Sequence, residues 1–167
     1  SSSLKKQQLN LLACQDSPKD FAAAIVHKCA KKMAKNPNFF LRWNGVGDLF
    51  DEAVNALLLI NQALPKMPIW VVTRKPQHVA KLAGVKNIWI HFSLDKSSMS
   101  RREDVLSLFN KRPNNLFFSY QADKNEILKK VDSDISVIFF DGYELAGNES
   151  FINHPALCPL TSKDDIT

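Results

Sequence analysis

Glycine is scarce, with 5 copies in 167 residues, and apolar residues make up 45% of the chain. That combination argues against a disordered or linker-like chain, and the length suits one domain with a core of useful size. Cysteine is scarcer still. Cys14, Cys29 and Cys158 are odd in number and none is close to another, so a disulfide framework is not expected. No His/Cys spacing matches a zinc site. No apolar run reaches the roughly 18 residues that a membrane span needs. The Ser/Lys/Gln-rich start does not resemble a signal peptide, which makes the cytoplasm the default location. No Walker loop and no Gly-x-Ser-x-Gly elbow occurs. The dinucleotide fingerprint Gly-x-Gly-x-x-Gly is incomplete, because position 50 is Phe.

Alternation of strand-like and helix-like segments is what the sequence does contain. Pro18 and Asp20 suit a first helical turn, and a helix is expected over 18–35, ended by Asn36-Pro37-Asn38. Strands are expected near 39–43, 69–73, 88–94, 116–120 and 135–140, with helices over about 50–64, 76–83, 100–110 and 123–131. Ser100 with Glu103 has the spacing of a capping box, and Asp123 is placed to cap the helix after it. The whole chain, 1–167, thus reads as a single α/β domain: an N-terminal helix over 18–35, βα repeats over 39–141 and an irregular tail over 142–167.

Repeated βα units imply a parallel sheet with right-handed crossovers. In the third strand Ile88, Ile90, Phe92 and Leu94 share one face, while Trp89, His91, Ser93 and Asp95 share the other. Strands covered by helices on both faces are apolar throughout. This one is apolar on one face only. The first strand sets Phe40, Arg42 and Asn44 opposite Phe39, Leu41 and Trp43, and the fourth sets Phe117, Ser119 and Gln121 opposite Leu116, Phe118 and Tyr120. The expectation is a partial, TIM-like half-barrel with helices outside and a polar hollow inside. Five strands do not close such a barrel, so the chain is either an open half-barrel or a fragment of a longer protein.

Ligands of parallel sheets sit at the carboxyl ends of the strands. Those ends carry Arg42, Asn44 and Asp48, then Thr73 and Arg74, then Ser93 and Asp95, then Gln121 and Asp123, and last Asp141. Asp48, Asp95 and Asp123 could equally cap the helices that follow. Gly45-x-Gly47-Asp48 is the sharpest local feature: its backbone could approach a ligand closely, although a tight turn is the commoner use of such a pair. His91, mid-strand, is expected to be a buried structural histidine. His27 and His78 are expected on helix surfaces, and His154 lies in the tail. Carboxylates at strand ends would also suit an oxygen-loving metal ion, with Asp48, Asp95 and Asp141 as ligands, but no motif supports it.

Three segments together resemble radical S-adenosylmethionine proteins. Leu41-Arg42-Trp43-Asn44-Gly45-Val46-Gly47-Asp48-Leu49-Phe50 is similar to that superfamily's second strand and its Gly-Gly-Glu loop. Ile69-Trp70-Val71-Val72-Thr73-Arg74-Lys75 is similar to the next strand, and Ile90-His91-Phe92-Ser93-Leu94-Asp95 to the fourth. The resemblance covers about 39–141 and implies five units of a six-stranded half-barrel. More narrowly, the run from Arg42 to Arg74 resembles a family of uncharacterised phage and plasmid proteins with cysteine-rich flanks. The radical resemblance implies S-adenosylmethionine as cofactor. Gly45, Gly47 and Asp48 would then meet its amino group, and Ser93 or Asp95 its ribose. The strand-end and face reading separately makes Arg42, Asn44, Arg74, His91, Gln121 and Asp141 possible pocket residues. The superfamily's Cys-x3-Cys-x2-Cys motif is absent, Asp48 stands in place of Glu, and Arg74-Lys75 in place of Asn-Gly. An iron–sulfur cluster would need cysteines outside this chain.

The net charge is +5, and Lys5, Lys6, Lys19, Lys28, Lys31, Lys32 and Lys35 crowd the first 35 residues. A non-catalytic module that touches nucleic acid or a protein through this segment is the alternative function. The lysines have no interleaved aromatics, so a solvated helix face is the plainer reading.

Overall fold

The computed structural model describes residues 2–43, 48–122 and 135–139. Five strands form one parallel sheet in the order β1-β2-β3-β4-β5: β1 Leu41–Trp43, β2 Ile69–Thr73, β3 Ile88–Leu94, β4 Leu116–Ala122 and β5 Ile135–Phe139. Before and between them lie α1 Ser2–Asp16, α2 Pro18–Lys35, α3 Asp51–Ala63, α4 Pro76–Leu82 and α5 Arg101–Leu106. The expected helix over 123–131 lies outside the described residues.

Strand order decides the architecture. A doubly wound sheet reverses direction once; this one never does. Successive right-handed crossovers that all step the same way place their helices on the same face. The helices accordingly pack on one another in series: α2 on α3, α3 on α4, α4 on α5, with α1 against α2 and α3. The result is a parallel α/β sheet wound in one direction.

Local chemistry explains the elements. Ser17 caps α2 by accepting from the Asp20 N–H at 3.3 Å, Pro18 occupies the first turn, and Lys32 and Lys35 face the negative end of the helix dipole. Asp51 and Glu52 open α3, and it stops two residues before Pro65. The Ser100–Glu103 capping box does not form. Ser100 is itself helical and makes no cap bond. The chain enters α5 through a turn at Asp95, whose carboxylate accepts from Ser97 N–H, Ser97 Oγ and Ser98 Oγ at 3.0, 2.6 and 2.9 Å. Helix α1 carries no apolar stripe to announce it; it is anchored where Cys14 enters the core.

Register sorts the side chains. Leu41, Ile69, Ile88 align along one row and Trp43, Val71, Ile90 and Leu116 along the next, followed by Thr73, Phe92 and Phe118. Ile88, Ile90, Phe92 and Leu94 are fully buried and share a core with Ala53, Leu57 and Ile60 of α3. The expected facing of β3 therefore holds. At the amino ends of the strands, Asn115 donates to the carbonyls of Leu82, Val85 and Ile88 and accepts from Gly84 N–H. Asn87, at φ 64, reaches back to the Pro65 carbonyl. These bonds tie the amino ends of the strands to the preceding helices and turns.

Cys14 and Cys29 are free and buried. Burial, with the Glu52 charge second, pushes the Cys14 thiol up to about 11, and burial raises Cys29 as well. Cys158 lies outside the described residues.

Candidate functional site

Opposite the helices, the strands project Arg42 from β1, Trp70 and Val72 from β2, Trp89, His91 and Ser93 from β3, and Phe117 and Ser119 from β4. The face is polar, as expected, but aromatic too. Trp70 meets His91 edge to face at 5.4 Å, His91 stacks on Phe117 at 5.5 Å, and Phe117 lies 5.7 Å from Trp89. The Arg42 guanidinium sits 4.5 Å from the centre of the Trp70 ring. Alternation along the first, third and fourth strands marked Arg42, Trp89, His91, Ser93, Phe117 and Ser119 as one face; Trp70 and Val72 join them through the register of β2 against β3, which brings Trp70 beside His91.

His91 is buried and hydrogen-bonded, as the sequence suggests: its Nδ1 is 2.9 Å from Ser119 Oγ. Desolvation holds its imidazole down to about 4, so it is neutral at physiological pH. His78 corrects the expectation of a surface residue. It is a buried residue of α4, with Nε2 3.2 Å from Asp51 at the start of α3. His27 is exposed, and His154 lies outside the described residues.

The rim at the strand carboxyl ends is one hydrogen-bonded network. Asp48 Oδ1 accepts from Leu49 N–H and from the Thr73 hydroxyl, both at 2.7 Å. Arg74 N–H bridges both Asp48 oxygens at 3.3 and 3.2 Å. The Arg74 side chain then pairs with Asp95 at 3.0 Å. Hydrogen bonds from Ser97 and Ser98, with Arg74 adding charge, hold the Asp95 carboxyl down to about 2. Three successive strand ends are thereby tied together through residues that the sequence singles out. Asp48 neither simply caps α3 nor stands free: it staples the segment before α3 to the end of β2. Asp48→Ala leaves the buried Thr73 hydroxyl and two backbone N–H groups without their acceptor. It is expected to cost about 1–3 kcal/mol, read as a lower urea midpoint.

Among the other singled-out residues, Gly45, Gly47, Asn44, Asp123 and Asp141 lie outside the described residues. Gln121 is placed by its backbone in β4, opposite Ile138 of β5. Ser93 is buried on the helix-free face, level with Ser119. No three His, Cys, Asp or Glu side chains converge on a metal position among the described residues. Among the described residues the cysteines are Cys14 of α1 and Cys29 of α2, both free and buried. No described helix is long and apolar enough to cross a membrane.

Comparison with known proteins adds one decisive finding. The model of a family described as gene product 88 matches residues 1–140. The chain belongs to the gene product 88 family. This fits the phage-protein resemblance of the Arg42–Arg74 run, and nothing in the comparisons supports the radical S-adenosylmethionine one. No curated protein and no solved structure matches this gene product 88 chain. Its matched region takes in all five strands, and with them the helix-free face and its rim.

Proposed function

We propose that the chain binds a small amino-nucleoside, with S-adenosylmethionine as the representative, across the helix-free face at the strand carboxyl ends. The observation that carries this reading is the rim network. It gathers Asp48, Arg74 and Asp95 from three consecutive strand ends beside a face of aromatic and hydroxyl side chains. Asp48 Oδ2 accepts a single bond among the described residues and keeps capacity for a ligand ammonium. Ser93, near the end of β3, and Asp95, just beyond it, are the candidates for the ribose hydroxyls. The Gly45–Gly47 backbone is the candidate for the amino-acid end. The resemblance to radical enzymes motivates the choice of nucleoside. A radical step would need an iron–sulfur cluster, and the proposal is of binding alone.

Calorimetry tests it. S-adenosylmethionine is expected to bind the chain saturably, and Ser93→Trp, which puts an indole on the helix-free face, to abolish the heat. Unchanged binding by Ser93→Trp, or none by the wild type, contradicts the reading. The seven lysines of α1 and α2 are all exposed, and among the described residues only Lys32 contacts an aromatic ring, Phe39 at 5.6 Å. Binding to DNA alone, falling steeply with salt, would instead favour a nucleic-acid module.

A further inference from the structure

We propose that the helix-free face holds an oxyanion group of the ligand, a carboxylate or a phosphate, among the Arg42 guanidinium, the Trp70 indole N–H and His91 Nε2–H. This rests on that face being the ligand site, and it adds which chemical group the face receives and where. Trp70 is 9% exposed and His91 3%, and the nitrogens Trp70 Nε1 and His91 Nε2 are buried without a hydrogen-bond partner. An indole nitrogen only donates. The histidine's role follows from its neighbour. Ser119, itself buried, lies 2.9 Å from Nδ1. With Ser119 donating to Nδ1, the hydroxyl proton is satisfied and the imidazole proton sits on Nε2. The opposite tautomer would strand both the hydroxyl proton and the Nε2 lone pair in the interior, which costs more. Both buried nitrogens are therefore donors that lack an acceptor.

Their rings sit on neighbouring strands, edge to face at 5.4 Å, and the Arg42 guanidinium lies over the Trp70 ring at 4.5 Å. Among the described residues, no acidic side chain projects from this face within the strands, and Arg42 makes no ion pair. Asp95, beyond the end of β3, is committed to Arg74, Ser97 and Ser98. Two unsatisfied donors beside an unpaired cation lack a negatively charged oxygen, and an oxyanion supplies it.

The test follows the indole N–H resonances of Trp43, Trp70 and Trp89 in the ¹H–¹⁵N spectrum, with Trp70→Phe to assign the middle one. Acetate and phosphate are titrated separately, then S-adenosylmethionine. The Trp70 resonance is expected to shift saturably with at least one anion while Trp43, on the helix side, stays in place. Arg42→Gln is expected to weaken that response about tenfold. The stronger of the two anions identifies the group as carboxylate or phosphate. A Trp70 resonance that neither anion moves, or that moves with equal affinity in Arg42→Gln, overturns the proposal. If an anion moves Trp70 but S-adenosylmethionine moves nothing, the recess stands and the nucleoside reading falls. If S-adenosylmethionine gives calorimetric binding without moving Trp70, the recess falls and the nucleoside reading stands.

Discussion

Phe92→Ala is expected to lower the free energy of unfolding by about 3–5 kcal/mol, read from urea titration. Phe92 is fully buried at the centre of the middle strand, aligned with Thr73 on β2 and Phe118 on β4, and it meets the Phe118 ring at 6.1 Å. Strand neighbours on both sides restrict how far the core can collapse into the space left by the ring, so the cavity cost adds to the lost burial. The same substitution tests which face of β3 lies under the helices. A one-residue slip would turn Phe92 to the helix-free face and cut the loss sharply. A loss below about 1 kcal/mol would contradict the register.

His91 gives the second large effect, on stability against pH. Unfolded, its imidazole titrates near 6.5; folded, burial holds it at about 4. Above 6.5 neither state takes the proton, and the stability contribution is fully present. As pH falls from 6.5 to 4, the unfolded chain takes a proton that the folded chain refuses. Stability then falls by about 3 kcal/mol across that window and levels off below it, as far as this group is concerned. Asp95 has its carboxyl held at about 2, and its share is lost only below about 4, so the two windows do not overlap. Urea unfolding of the wild type at pH 7 and pH 4.5 should show the drop, and His91→Phe should lose most of it. An equal drop in the variant would mean that His91 is not the buried neutral group.

Much of this was legible before any coordinates, for physical reasons that differ from place to place. Strict alternation over Ile88–Leu94 is a period-two signal that one buried face imposes, and it placed Phe92 and His91 on their correct sides. Pro18 and Asp20 act within one helical turn, so α2 could be read locally. Features that depend on distant partners were hidden. The reach of Asp48 to Thr73 and Arg74 spans 25 and 26 positions. His78 is buried because α4 brings it against Asp51, 27 positions earlier. The Ser100–Glu103 spacing misled because Ser97 and Ser98 had already bound Asp95 and fixed the entry to α5 by another route. Helix α1 escaped because its sequence has little amphipathic contrast and it packs mainly through α2 and α3. The pairing of Trp70 with His91 required the register of β2 against β3, which no single strand encodes.

Amide shift mapping with S-adenosylmethionine tests the central claim, that the helix-free face and its rim form the ligand site. Because ligand contacts perturb nearby amides most, shifts are expected at Arg42, Asp48, Arg74, Ser93 and Asp95, spread over three strand ends, with the lysine-bearing surface of α1 and α2 unmoved. Shifts confined to Lys5–Lys35, or no shift at any of those five amides, would contradict it.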